Sequence, residues 1–378
     1  MAQEYELEIN GQPTRYSDAS RRMKMYFAEP EQGAGDYTGI LLLIAGYGGN
    51  ARSNVYQKMR KTFADQYDLI VVQCDYLGYR YMQNDQHLTV TEDMLRQVLA
   101  PEEISILAKD YANHQDLLAG KTLSGYISLQ EQADDYNEMG LIQAMDNLMA
   151  VSVLQDIIRE NGIRPCRDRV YIYGQSHGAY LAYLCNYLAP GLFTGIIDNS
   201  AYLFPYFMEH DREVTCVGEL FSLQKIYHYR LADQQVDRES YDLRNLYADF
   251  PNHARIVVYH GVDDEMIPLQ EKEEFLKQID HVILHVITER EVDGIVFRST
   301  GHSLEADLLK VFAMALGELE RMPIPVTEDS ESRVNKTFQT KQCRYEMHWE
   351  TGVPVLYCEG FDNLLSLGKS RCKDEGEI

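Results

Sequence analysis

The stretch Val170-Tyr171-Ile172-Tyr173-Gly174-Gln175-Ser176-His177-Gly178-Ala179-Tyr180-Leu181-Ala182-Tyr183-Leu184 decides the reading of this chain. Its opening run is short and apolar, as a strand buried on both faces requires. The run that closes it and continues to Leu188, beginning at Ala179, has the small and aromatic residues of a packed helix. Between them lies Gly-x-Ser-x-Gly. Two glycines around a serine arise by chance in many long sequences, so the motif acquires meaning only from the strand before it and the helix after it. The glycines then have a steric reason. The serine sits at a strained backbone angle, and neighbours without a Cβ let strand and helix pass close together. The pattern marks Ser176 as a candidate nucleophile; the plainer alternative is an ordinary strand–turn–helix join.

A serine hydroxyl is a poor nucleophile in water. It needs a base beside it, a group that orients the base, and donors for the oxyanion that develops. The base expected here is His302, in Ser299-Thr300-Gly301-His302-Ser303, between the last strand and the last helix. The orienting acid is expected after a following strand, in His260-Gly261-Val262-Asp263-Asp264-Glu265-Met266-Ile267-Pro268, where Asp263 and Asp264 compete. The oxyanion donors expected are the backbone N–H of His177, directly after the serine, and that of Tyr47, in the turn Gly46-Tyr47-Gly48-Gly49. Those glycines would also serve a tight turn, and the two uses are compatible. The His177 side chain is expected to point away from the serine, and His260 and His285, within strand patterns, read as structural.

Outward from the motif, buried strands read over 39–45, 69–74, 169–173, 195–198, 255–260 and 281–288. Helices read over 53–66, 137–158, 179–188, 269–279 and 303–319. Strands alternating with helices imply a mostly parallel, doubly wound α/β sheet covered on both faces. Residues 1–36 form an N-terminal hairpin around Asn10-Gly11, 37–320 the core, and 321–378 an extension with a hairpin over 337–347 and 353–357. Two irregular, tyrosine-containing stretches, about 77–136 and 203–252, read as insertions forming a helical lid over the serine. The extension is either an extra sheet on the core or an oligomer contact, and a homo-oligomer is left open.

The chain has 378 residues, 45% hydrophobic and 25% charged, enough for a sizeable core. Its net charge of −24 disfavours nucleic acid and anionic membranes as partners and suits a neutral, sugar-like or cationic substrate. Seven cysteines without a C-x-x-C pair fit a reducing compartment with neither a disulfide framework nor a zinc site. His281 and His285 share a strand pattern, where residues four apart lie roughly 13 Å from each other, too far to share one ion. No dinucleotide fingerprint or P-loop lysine occurs, so no cofactor or metal is expected. The first residues lack a basic start and an apolar core, and no apolar run reaches the ~18 residues of a membrane span, so a cytoplasmic location is expected.

With these motifs placed, residues 37–320 resemble the α/β-hydrolase superfamily. The order serine, acid, histidine is the order of that superfamily. Its His-Gly-x-x-Asp-x-x-Val-Pro pattern implies Asp264 as the acid, with Ile267 in place of the valine and Asp263 the second choice. Ile44-Ala45-Gly46-Tyr47-Gly48-Gly49-Asn50-Ala51, Asp75-Tyr76-Leu77-Gly78, the elbow and Asp198-Asn199-Ser200 also resemble a poorly characterised bacterial hydrolase-like family, some members encoded near flagellin-glycosylation genes. The resemblance implies a serine esterase working through Ser176, His302 and Asp264, with a glycan or small-molecule acyl ester as substrate. Transfer of the acyl group to a sugar, a peptidase, and a scaffold without turnover are the alternatives; the absence of a gating propeller lowers the peptidase.

Overall fold

The computed structural model describes residues 1–14, 20–234, 236–325 and 333–360. The chain begins with strands Gln3–Gly11 (β1) and Arg21–Glu29 (β2), followed by Gly39–Ile44 (β3), helix Asn54–Tyr67 (α1) and Leu69–Cys74 (β4). Next come Leu88–Thr89 (β5), Glu92–Arg96 (α2), Pro101–Lys109 (α3) and Thr122–Ile127 (β6). The helix Leu141–Glu160 (α4) leads to Val170–Gln175 (β7), His177–Leu188 (α5) and Gly195–Asn199 (β8). After Arg212–Val217 (β9), Ser222–Tyr227 (β10) and Leu243–Tyr247 (α6), the chain returns as Arg255–Gly261 (β11), Leu269–Leu276 (α7), Val282–Ile287 (β12) and Leu308–Leu319 (α8). It closes with Lys336–Gln339 (β13), Cys343–Glu350 (β14) and Val353–Gly360 (β15).

These elements form two compact units. The first comprises Met1–Tyr79, Ala133–Pro205 and Asp237–Ile378. Its eight-stranded sheet runs β1-β2-β4-β3-β7-β8-β11-β12. The pairs from β4 through β12 are parallel, and β1 and β2 are antiparallel additions at one edge. This is the mostly parallel α/β sheet of the hydrolase type. β3, β4 and β11 are buried at every position, which is why they read as continuous apolar runs rather than as alternations.

One face of the sheet presents Leu41, Leu43, Tyr171, Tyr173, Ile197 and Val257 to Phe63 of α1 and to Phe312, Leu316 and Leu319 of α8. The stacked rings of Phe63 and Phe312 are 4.0 Å apart at their centroids. The alternate positions carry α4 and α5: Cys74 of β4 reaches Asn147 of α4, and Cys185 of α5 reaches the Ala144 carbonyl. α4 also packs against β15, so it is buried almost all round. It is the one helix among the described residues long and apolar enough to cross a membrane, and it lies inside the fold.

The second unit comprises Arg80–Gln132 and Tyr206–Val236. It is built on a four-stranded sheet, β5-β6-β10-β9, with the short helices α2 and α3. The expectation of a helical insertion is corrected accordingly. Here β6 and β10 pair in parallel from distant segments, so neither shows a local hairpin signal. Residues 237–252, which the sequence pattern assigns to the second insertion, belong to the first unit: Tyr241 and Tyr247 are wholly buried there.

Further expectations change in detail. Asn10-Gly11 is not a turn; it lies inside β1 opposite Arg22 and Arg21. The C-terminal hairpin gains a third strand, β13, and its turn uses Thr351 (φ 48°) and Gly352 (φ 90°), the two positive-φ positions of a tight hairpin turn. The last core helix starts at Leu308, capped by Asp307, rather than at Ser303. His281 precedes β12 instead of lying in it. Cys372 and the parts of the extension at 326–332 and 361–378 lie outside the described residues.

Candidate active site

Ser176 sits between β7 and α5 with φ 52° and ψ −114°. A non-glycine residue pays for that conformation, and it holds only where the surroundings over-determine it. They do so through backbone contact. A Cβ at Gly174 would lie 2.2 Å from the Gly178 carbonyl carbon, and one at Gly178 would lie 2.3 Å from the Ile44 oxygen. The flanking glycines therefore allow strand, helix and the end of β3 to meet. The Ser176 N–H donates to the Asn199 carbonyl at 2.8 Å, which ties the elbow to β8.

Ser176 Oγ is 2.7 Å from His302 Nε2. On the other side of that imidazole, Nδ1 is 2.9 Å from Asp264 Oδ2 and 3.1 Å from Oδ1. The structure thus brings together Ser176, His302 and Asp264. Asp264 lies in the loop after β11, where its Oδ1 also accepts the N–H groups of Met266 and Ile267. Burial alone would raise its pKa. The hydrogen bond and charge of His302, with His260 and the Ile267 N–H, outweigh burial and hold the carboxyl below its ordinary value. Asp263 is turned away, accepting from Thr300 Oγ1 at 2.7 Å. His302 itself stays 21% exposed at its side chain, so the imidazole is reachable from solvent while the carboxylate behind it is closed off.

His302 is held by an unusual loop. Ser303, Leu304 and Glu305 all have positive φ, at 65°, 62° and 43°. Leu304 is buried in the core shared by α1 and α8, and the Ser303 N–H donates to Ser200 Oγ at 3.2 Å. Packing and hydrogen bonding thus compensate the strain and fix where the imidazole points.

The two expected oxyanion donors lie on neighbouring segments. His177 is the first residue of α5, so its N–H belongs to the turn of helix that has no intrahelical acceptor. Tyr47 occupies the turn closed by the Gly49 N–H on the Gly46 carbonyl at 2.9 Å. A Cβ at Gly46 would lie 2.9 Å from the Gln175 carbonyl oxygen, so this turn rests against the elbow.

The His177 side chain points into the protein, where Nε2 meets Gln143 Oε1 at 2.6 Å and Nδ1 meets the Tyr202 hydroxyl. Burial lowers its pKa to about 3. The unfolded chain takes up a proton at the ordinary value of about 6.5 while the folded one does not, so the ring costs stability as pH falls from about 6.5 towards about 3. The expected observation is that the His177 ring resonances stay neutral at pH 5 in the folded protein, where a solvated histidine is protonated.

Asn137, Glu138, Gln143 and Lys272 around the site were not singled out from sequence. Asn137, Glu138 and Gln143 are fully buried at the start of α4. Glu138 Oε2 accepts the N–H groups of Gly140 and Ile142, and Tyr241 donates to its other oxygen. Lys272 of α7 reaches Asp198 of β8 at 2.7 Å, with both side chains fully buried. His260 donates from Nε2 to the Ile267 carbonyl and stands 3.8 Å from the Asp264 carboxylate. Among the described residues no group of three or more His, Cys, Asp or Glu side chains is arranged to hold a metal ion.

An elbow serine, an imidazole and a carboxylate on the C-terminal ends of a mostly parallel eight-stranded sheet define a protein of the α/β-hydrolase fold class. Within that class the chain belongs to the family described as "Protein of unknown function (DUF2920)", whose model matches residues 114–336. No curated relative matches the sequence. Among solved structures it is similar to an acylaminoacyl peptidase of Pyrococcus horikoshii, at 11% identity and a TM-score of 0.48, covering 87% of this chain and 43% of that one. It is similar to Est1E of Butyrivibrio proteoclasticus, solved with ferulic acid, at 13% identity and 0.44, covering 79% and 95%. It is also similar to a dienelactone hydrolase-like protein of Klebsiella pneumoniae, at 13% identity and 0.43, covering 84% and 100%. The chain spans less than half the length of the peptidase.

Proposed function

We propose that this chain is a serine hydrolase cleaving carboxylic esters through an acyl-enzyme. The observation that carries the reading is the continuous contact Ser176 Oγ–His302 Nε2 at 2.7 Å and His302 Nδ1–Asp264 Oδ2 at 2.9 Å, on a serine held at φ 52°. In the first half-reaction, Ser176 Oγ attacks the ester carbonyl carbon while His302 takes its proton. The backbone N–H groups of His177 and Tyr47 receive the oxyanion. Collapse breaks the bond to the alcohol oxygen, which leaves with the proton from His302. In the second half-reaction, His302 deprotonates a water that attacks the acyl carbon, and the proton returns to Ser176 as the acid departs. Asp264 holds the imidazole with its Nδ1 proton inward and balances the imidazolium charge.

As substrate class we propose a neutral acyl ester, with deacetylation of a glycan or small molecule as the specialisation. The net charge of −24 disfavours anionic substrates. The test is labelling by a fluorophosphonate together with hydrolysis of short p-nitrophenyl esters. The wild type is expected to label and turn over, and Ser176→Ala is expected to do neither. A wild-type protein that fails both ends this reading.

A further inference from the structure

We propose that Gln143 and Asn137 are positioning residues that couple the two segments supplying the oxyanion donors; the inference rests on the serine-hydrolase reading above. Four side chains form one hydrogen-bonded line from the β3 turn to the first residue of α5. Asn137 Nδ2 donates to Tyr47 Oη at 2.8 Å. Gln143 Nε2 donates to Asn137 Oδ1 at 3.1 Å and to the Leu77 carbonyl at 2.8 Å. Gln143 Oε1, 2.6 Å from His177 Nε2, closes the line.

The direction of every bond follows from its neighbours. The Gln143 amide nitrogen faces two oxygens, so its oxygen faces His177. His177 therefore donates from Nε2, and its Nδ1 accepts from the Tyr202 hydroxyl. A neutral ring is what this pattern needs, in keeping with the low pKa that burial imposes. The line ends at the two residues whose backbone N–H groups flank the proposed oxyanion position. The Tyr47 ring also meets the His177 ring edge-on, with centroids 5.6 Å apart. Asn137 and Gln143 are fully buried, where a polar side chain is retained only if its hydrogen bonds are met. Oxyanion donors act through preorganisation, so a device that fixes the spacing between them governs the rate and not the affinity for substrate.

Two mild variants test this. Tyr47→Phe keeps the ring and removes the acceptor for Asn137. Gln143→Glu keeps the shape and the acceptor for His177 but no longer donates to Asn137. Both are expected to lower kcat on a p-nitrophenyl ester by about 10-fold while KM changes less than about twofold. Affinity for a trifluoromethyl ketone, which places an oxyanion in the site, should fall by the same factor. The backbone amide resonances of Tyr47 and His177 report the coupling independently of turnover, and each variant should displace both. Wild-type kcat, ketone affinity and amide positions in a folded Tyr47→Phe protein overturn the proposal; so does a loss that appears equally in KM and in thermal midpoint. Tyr47→Phe alters a single oxygen on a partly exposed residue and decides the question alone if Gln143→Glu does not fold. Absence of fluorophosphonate labelling in the wild type overturns the hydrolase reading instead, while the amide shifts still decide whether the coupling exists.

Discussion

Asp264→Asn is expected to lower kcat on an activated ester about 10⁴-fold, with the fold intact. The reason lies in how the two carboxylate oxygens divide their work. Oδ1 accepts the N–H groups of Met266 and Ile267, whereas Oδ2 makes the shorter contact, 2.9 Å, to His302 Nδ1. An asparagine keeps the loop by leaving its oxygen on the first pair. Its amide N–H₂ then faces His302 and forces the imidazole to carry its proton on Nε2, towards Ser176, where no base remains. Asp263→Asn is the matched control. Among the described residues the exposed Asp263 side chain bonds only to Thr300, so its change should stay within about threefold. Steady-state kinetics on both proteins, with circular dichroism to confirm folding, separates the two aspartates. Comparable losses in both would remove the assignment of Asp264.

The second large effect concerns stability. Lys272→Met is expected to destabilise the first unit by about 3–5 kcal/mol, the cost of leaving a buried charge without its partner. Among the described residues Asp198 would keep the Tyr183 hydroxyl at 3.0 Å and the Ala201 N–H at 2.7 Å, and the Ala201 carbonyl would lose the Lys272 ammonium it now accepts from. Adding Asp198→Asn removes the stranded charge, because asparagine can still accept from Ala201. The double variant should therefore recover a large part of the loss. Urea unfolding of the two single variants and the double variant closes the cycle. Simple additivity of the two losses would mean the pair is not coupled.

The core was legible because its physics is local. A strand buried on both faces must be apolar throughout, and β3, β4, β7 and β11 announce themselves that way. The elbow was legible because glycine on each side of a serine has a steric cause that the contacts of Gly174 and Gly178 bear out. The choice between Asp263 and Asp264 came from a resemblance, since adjacent residues of the same type differ only in which way the loop turns them. The buried polar set of α4 was illegible for a different reason. Gln143, Asp146 and Asn147 recur at helical spacing, which in one sequence reads as a solvent face. They are instead buried against partners elsewhere along the chain: Gln143 against Leu77 and His177, Asp146 against Gln12, Arg21 and Leu77, and Asn147 against Cys74. The second unit failed for the same cause: its central pairing joins Thr122–Ile127 to Ser222–Tyr227, and no local periodicity signals a parallel partner a hundred residues on.

The left-handed run after His302 carries a lesson for protein engineering. Ser303, Leu304 and Glu305 each occupy backbone space that costs an L-residue about 1 kcal/mol or more. A laboratory selection for heat tolerance would find glycine early at Ser303 and Glu305, which are not core residues, but not at Leu304, whose buried side chain contributes more than the strain costs. It would also loosen the segment that follows the imidazole directly, so variants enriched for ruggedness at Ser303 and Glu305 should be the ones that lose turnover first.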